Sequence, residues 1–95
     1  MGLRTTETYA RWLGGLRDVR AQVRIARRVQ RLASGNPGDL RPVGEGVSEM
    51  RIDYGPGYRV YYVQQGQTVV VLLAGGDKST QELDIRAAIE LARGL

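Results

Sequence analysis

The chain has 95 residues, no cysteine, no histidine and a formal net charge of +4. Its 42% hydrophobic and 25% charged content is that of a folded protein, and the length suits one domain (1–95) with a single sheet and its covering helices. Without cysteine there is no disulfide frame or thiolate metal site; without histidine the commonest general base and neutral metal ligand are gone, so catalysis must rest on Arg, Lys, Tyr, Asp or Glu. The longest apolar run, Val69 to Ala74, is far below the roughly 20 residues of a membrane helix, and no signal-peptide apolar region opens the chain, so a cytoplasmic protein with no membrane partner is expected. The basicity belongs to the front half: residues 1–47 carry nine arginines against Glu7, Asp18, Asp39 and Glu45, a balance of +5, whereas residues 48–95 balance at −1. An excess of this kind favours a polyanionic partner, nucleic acid or an acidic protein surface.

Met1 to Thr5 supplies at most an edge strand. Thr6 is the expected N-cap of a first helix, with Glu7 placed in its first turn for the helix dipole. Tyr9, Trp12, Leu13 and Leu16 recur at the spacing of one buried helix face, which makes Trp12 a core residue, and Gly14-Gly15 weakens the end. Asp18 is the candidate cap of a second helix running to about Ala33. Ala21, Ile25, Val29, Leu32 and Ala33 project into one arc, and Arg20, Arg24, Arg27, Arg28 and Arg31 into the opposite one. No acid follows the cap within this helix, so i,i+4 ion pairs do not neutralise the ridge. It reads either as a solvated face with aliphatic stems over the core or as a surface for phosphate or an acidic partner. Gly35 is the expected left-handed residue at the helix end, and the stretch from Pro37 to Gly46 reads as a loop joining helices to sheet.

Three strands then form an antiparallel meander: Met50–Tyr54, Tyr58–Val63 and Thr68–Leu73, joined by Gly55-Pro56-Gly57 and by Gln64 to Gln67. Alternation places Met50, Ile52, Tyr54, Tyr58, Val60 and Tyr62 on an apolar face, and Arg51, Asp53, Arg59 and Tyr61 on the other, which reads as open. Ser79 with Glu82 three residues on fits a capping box, so a last helix is expected from there through Ala92. That puts Lys78 at a strand-to-helix junction. Gly75-Gly76-Asp77-Lys78-Ser79-Thr80 lacks the spacing of a nucleotide-binding phosphate loop, and no cofactor or metal is expected. The last helix has a wide apolar arc, explained by deep packing or by docking of a partner protein.

The blocks Tyr9-x-x-Trp12-Leu13-x-x-Leu16-Arg17-Asp18, Gly35-Asn36-Pro37-Gly38-Asp39, Pro42-Val43-Gly44-x-Gly46-Val47-Ser48-Glu49-Met50-Arg51, Gly55-Pro56-Gly57-Tyr58-Arg59-Val60-Tyr61 and Gly75-Gly76-Asp77-Lys78-Ser79-Thr80-Gln81 resemble the addiction-module killer proteins of the RelE/ParE toxin superfamily, in the HigB-like branch. The resemblance covers nearly the whole chain. It implies an α+β fold of order β-α-α-β-β-β-α, with the meander packed by two N-terminal helices and one C-terminal helix. It also implies a type II toxin–antitoxin toxin whose partner is a helix-turn-helix antitoxin. RelE-like members enter the ribosome and cleave mRNA; ParE-like members inhibit DNA gyrase. Arg59 matches the superfamily's phosphate-contacting arginine and Lys78 falls near its second basic position. The RelE-type tyrosine after the final strand has no counterpart, since Gln81, Glu82 and Leu83 stand there.

The expected activity is therefore a metal-independent, ribosome-dependent endoribonuclease, with ribosome and mRNA as partners. Gyrase inhibition and a non-catalytic basic binding module are the alternatives. Arg59 and Arg51 are assigned to the phosphoryl oxygens, because planar guanidinium donors bind phosphate two-pronged and stay charged. Lys78 adds charge or acts as base, and Tyr61 is the candidate proton donor or base-stacking platform, or else a partly buried aromatic of the sheet. Asp53 is the nearest carboxylate base, with pairing to Arg51 or Arg59 as its other role. Arg20, Arg24, Arg27, Arg28 and Arg31 are the RNA-binding candidates.

Overall fold

A computed structural model describes residues 1–95. The order is β1 (Gly2–Thr5), α1 (Glu7–Gly14), α2 (Val19–Ala33), β2 (Leu40–Gly44), β3 (Val47–Ile52), β4 (Tyr58–Gln65), β5 (Val69–Gly76), a 3₁₀ turn (Lys78–Thr80) and α3 (Gln81–Arg93). One five-stranded mixed sheet runs β1-β5-β4-β3-β2, with β1 parallel to β5 and every other pair antiparallel. The α+β class and the meander are as expected. The element order gains a strand, β2, in the stretch read as loop. Pro42 and Gly44 hid it, yet β2 is an edge strand, where a proline without an N–H is tolerated.

Caps place the two N-terminal helices as the sequence implies. The Thr6 hydroxyl accepts from the Tyr9 amide at 3.1 Å, and Asp18 Oδ1 accepts from the amides of Arg20 and Ala21. Gly35 is left-handed, with φ of 89°. These helices cover one face, where Tyr9, Ala21, Ile25, Val29 and Leu32 pack on Met50, Ile52, Tyr58, Val60, Tyr62, Val70 and Leu72. Half-buried Trp12 packs against that core and lies edge-on to Tyr58, 6.3 Å between ring centroids. Gly75 admits it, because a Cβ there would overlap the indole ring.

The other face is not open. α3 lies across it, burying Val47, Tyr61, Val71, Leu73 and Ala74 with Ala88, so the sheet is sandwiched between helical layers. The wide apolar arc of α3 is thereby explained by packing through Ile85, Ala88, Ile89, Leu91 and Ala92, while Leu83 stays 65% exposed. A register shift in β5, where Tyr61 pairs with Ala74 but Tyr62 with Leu72, turns both Leu73 and Ala74 to the α3 side. Thr6 stitches this bulge to α1, its hydroxyl donating to the Leu73 carbonyl at 2.6 Å. The expected Ser79 capping box does not form. Asp77 caps instead, accepting from the Ser79 amide at 2.8 Å, and a 3₁₀ turn intervenes before α3 starts at Gln81. No helix is long and apolar enough to cross a membrane.

Candidate phosphate-binding site

β3 and β4 place Arg51 and Arg59 directly opposite each other in register. Both side chains project on the α3 side of the sheet, beyond the N-terminal end of that helix. The hairpin Asp53–Gly57 closes one wall, with Gly55 and Gly57 at φ of 58° and 79°, a backbone that favours glycine. Gly57 also lies against the Lys78 side chain, bringing the strand-to-helix junction onto the hairpin. Arg51, Arg59, Lys78, Asp39, Asp53 and the hairpin line one cleft of about 440 Å³. Three of the four residues named as catalytic thus meet in one concavity.

Tyr61 does not join them. It is fully buried beneath α3, and its hydroxyl donates to Glu49 Oε2 at 3.0 Å. Burial first, and then the Glu49 charge and hydrogen bond, hold its phenol well above the ordinary range, so it keeps its proton. A bound polymer cannot reach it, which removes both chemical roles and leaves the reading of a buried aromatic. The reason is local: Tyr61 alternates correctly with Arg59, but α3 seals the shared face completely at Tyr61, whereas Arg59, itself largely buried, still lines the cleft two residues away.

Glu49 has no counterpart among the expected site residues. Its carboxylate is fully buried, and three strands send a guanidinium toward it: Arg41, Arg51 and Arg59 bring Nε to within 3.3, 3.6 and 3.9 Å of Oε1. Gln81, the first residue of α3, donates to Oε2 at 2.8 Å. The expected pairing of Asp53 with Arg51 or Arg59 is not made; Glu49 takes that place and Asp53 is exposed on the cleft. The spacing Glu49-x-Arg51 could have revealed the pair, since residues two apart share a strand face. Nothing pointed to Arg41, because β2 itself was not recognised.

The arginine ridge of α2 divides. None of Arg20, Arg24, Arg27, Arg28 and Arg31 takes part in the chain's six ion pairs. Arg28 is nonetheless engaged, donating to the carbonyls of Arg51 at 2.7 Å and Pro37 at 3.2 Å, which ties α2 to β3. Arg24 stacks on the Tyr54 ring at 4.5 Å, and the Tyr54 hydroxyl donates to Asp18. Arg20, Arg27 and Arg31 stay exposed. All five line a groove of about 540 Å³ with Val19, Val23, Ile52 and Asp53. Ile52 and Asp53 also line the cleft, so groove and cleft adjoin. Of the chain's 14 basic residues Lys78 is the one lysine. Arginine predominance suits planar, two-pronged anion recognition.

The profile of the phage-derived Gp49-like proteins (DUF891) matches residues 11–94 of the chain. The chain belongs to this family. Gp49-like proteins are associated with the toxins of toxin–antitoxin modules. An uncharacterized protein of Haemophilus influenzae is 48% identical over 93 residues, covering 98% of this chain and 94% of its own length. No solved structure matches the chain. In the Gp49-like chain described here the matched region includes every basic residue of cleft and groove.

Proposed function

We propose that this Gp49-like protein is the toxin of a type II module of the RelE/ParE, HigB-like kind, a cytoplasmic metal-independent endoribonuclease that cuts mRNA on the ribosome and is held by a helix-turn-helix antitoxin. The observation that carries this reading is the meeting of Arg51, Arg59 and Lys78 in one open cleft that adjoins the arginine-lined groove of α2. A cleft of this size and charge takes the phosphate and ribose of one nucleotide step, and the groove takes the flanking backbone.

The reaction follows from the groups available. The ribose 2′-hydroxyl loses its proton and attacks the adjacent phosphorus in line; the 2′-O–P bond forms, the P–5′-O bond breaks, and a 2′,3′-cyclic phosphate remains. Arg51 and Arg59 hold the phosphoryl oxygens as charge develops on them. Asp53, like Asp39, is free of any ion pair and exposed in the cleft, and it accepts the 2′ proton in this reading. Lys78, exposed at the rim, adds charge and carries a proton for the leaving 5′-oxygen. The chain has no histidine to act as acid or base, so alignment of the RNA by the ribosome supplies much of the acceleration.

Mapping transcript 5′ ends after a pulse of expression tests this. New ends at codon positions of translated messages are expected, and none with Arg59→Ala, which also ceases to arrest growth; because Arg59 is buried beside Glu49, a thermal melt of the variant separates loss of cleavage from loss of fold. Gyrase-linked DNA breaks with intact transcripts would replace this reading with gyrase inhibition.

A further inference from the structure

Three guanidiniums around one buried carboxylate leave a surplus of two positive charges. Each of Arg41, Arg51 and Arg59 comes closest to Glu49 Oε1 through Nε, the inner edge of the guanidinium. Side-chain exposure is graded, 10% for Arg59, 38% for Arg51 and 51% for Arg41. Arg59 is the most constrained, its Nη1 donating to the carbonyls of Gly57 and Tyr58 at 3.1 and 3.2 Å. Oε1 of Glu49 and the Nε atoms of Arg51 and Arg59 are buried without a hydrogen-bond partner. Burying such groups at this spacing costs stability, so stabilising the fold does not by itself account for the cluster. The arrangement is that of a counter-ion set behind a row of cations.

We propose that Glu49 is the positioning residue of the cleft: its buried carboxylate, locked by Tyr61 and Gln81, holds Arg51 and Arg59, with Arg41 beside them, so that their outer nitrogens converge on one phosphodiester. The assignment makes Arg41 a third anion contact, from the strand next to β3. It rests on the phosphate reading of the cleft and not on cleavage. Long, flexible arginine side chains lose rotamer freedom on binding; a fixed inner anion removes that freedom beforehand. Tyr61 thereby acquires a use in spite of its burial, since its hydroxyl and the Gln81 amide are the only hydrogen bonds that orient Glu49.

Titration of inorganic phosphate by calorimetry separates positioning from charge. Glu49→Gln makes the protein one unit more positive, so long-range attraction alone would tighten phosphate binding. Loss of positioning predicts the reverse, a weakening of about ten-fold or more, with the Arg51 and Arg59 Nε–H signals in nitrogen-edited NMR losing their distinct shifts. Arg41→Ala should weaken phosphate several-fold at unchanged thermal melt. If folded Glu49→Gln binds phosphate as tightly as the parent, or more tightly, the proposal is wrong; it is equally wrong if the parent binds no phosphate. Should Glu49→Gln fail to fold, the pair Tyr61→Phe and Gln81→Ala alters no charge and releases the same carboxylate; undiminished phosphate binding there overturns the proposal. A parent protein that binds phosphate but leaves translated RNA intact sinks the nuclease reading and leaves this one standing.

Discussion

Arg51 and Arg59 stand directly opposite each other across β3 and β4, two like charges in a register pair. Such a pair is unfavourable by itself, and Glu49, on the same face two residues before Arg51, offsets it. Stability and function therefore pull apart at this position.

Replacing Arg51 by Gln removes a like-charge opposition along with one of the three guanidiniums that face Glu49. The melting temperature is expected to stay within about 5 °C of the parent, a change under roughly 1 kcal/mol, while cleavage of a message in a translating extract falls about 100-fold, as for loss of one charge-stabilising donor. A large drop in melting temperature would instead make Arg51 a structural residue.

Within α2, Arg28 and Arg31 should behave differently despite being three residues apart. Arg28→Ala leaves the carbonyls of Arg51 and Pro37 without their donor and should cost about 1–3 kcal/mol in urea unfolding. Arg31→Ala should leave unfolding unchanged and lower the salt dependence of single-stranded RNA affinity, the logarithmic slope shrinking by about 0.7. Equal effects of the two on stability would remove the distinction.

At the junction of α1 and β5, Gly75→Ala drives a Cβ into the Trp12 ring, which is held between Tyr9 and Tyr58. Overpacking against a rigid ring should cost about 2–3 kcal/mol, or about 10–20 °C in a chain of this size. Gly76→Ala meets the Asp84 carboxylate instead, a side chain that can turn aside by giving up its bond from Thr80, so its cost should be smaller. Calorimetric melts of the two variants check the order.

Acid should weaken the fold through three carboxylates. The Tyr54 hydroxyl holds Asp18, the Arg93 guanidinium holds Glu45 and the Ser79 hydroxyl holds Asp77 below the ordinary carboxylate range. Each is more acidic folded than unfolded, so its stabilisation is complete above the unfolded pKa of about 4 and is lost as pH falls through the folded value. The melting temperature is expected to be flat from neutral pH to about 5 and to decline below about 4. Asp18→Asn, which keeps a capping oxygen, should flatten that acid limb; an unchanged limb would assign the acid loss elsewhere.

What the sequence determined by itself is what short-range chemistry dictates. Thr6 and Asp18 cap helices because a side-chain oxygen two or three residues ahead of a free amide can do nothing better. The period of Ala21, Ile25, Val29 and Leu32 sets the buried side of α2, and alternation from Met50 to Tyr62 sets two faces of a sheet. The gathering of Arg51, Arg59 and Lys78 followed from those same rules, since strand phase and a strand-to-helix junction are both local. Alternation cannot say which face receives a cover or where the cover stops. That was decided by α3, whose packing buries Tyr61 and leaves Arg51 and Arg59 beyond its first turn. Likewise the edge strand β2, which brings Arg41 to Glu49, exists only because β3 offers it partners. A buried carboxylate enclosed by three strands is a property of their register, and no single stretch of the chain contains it.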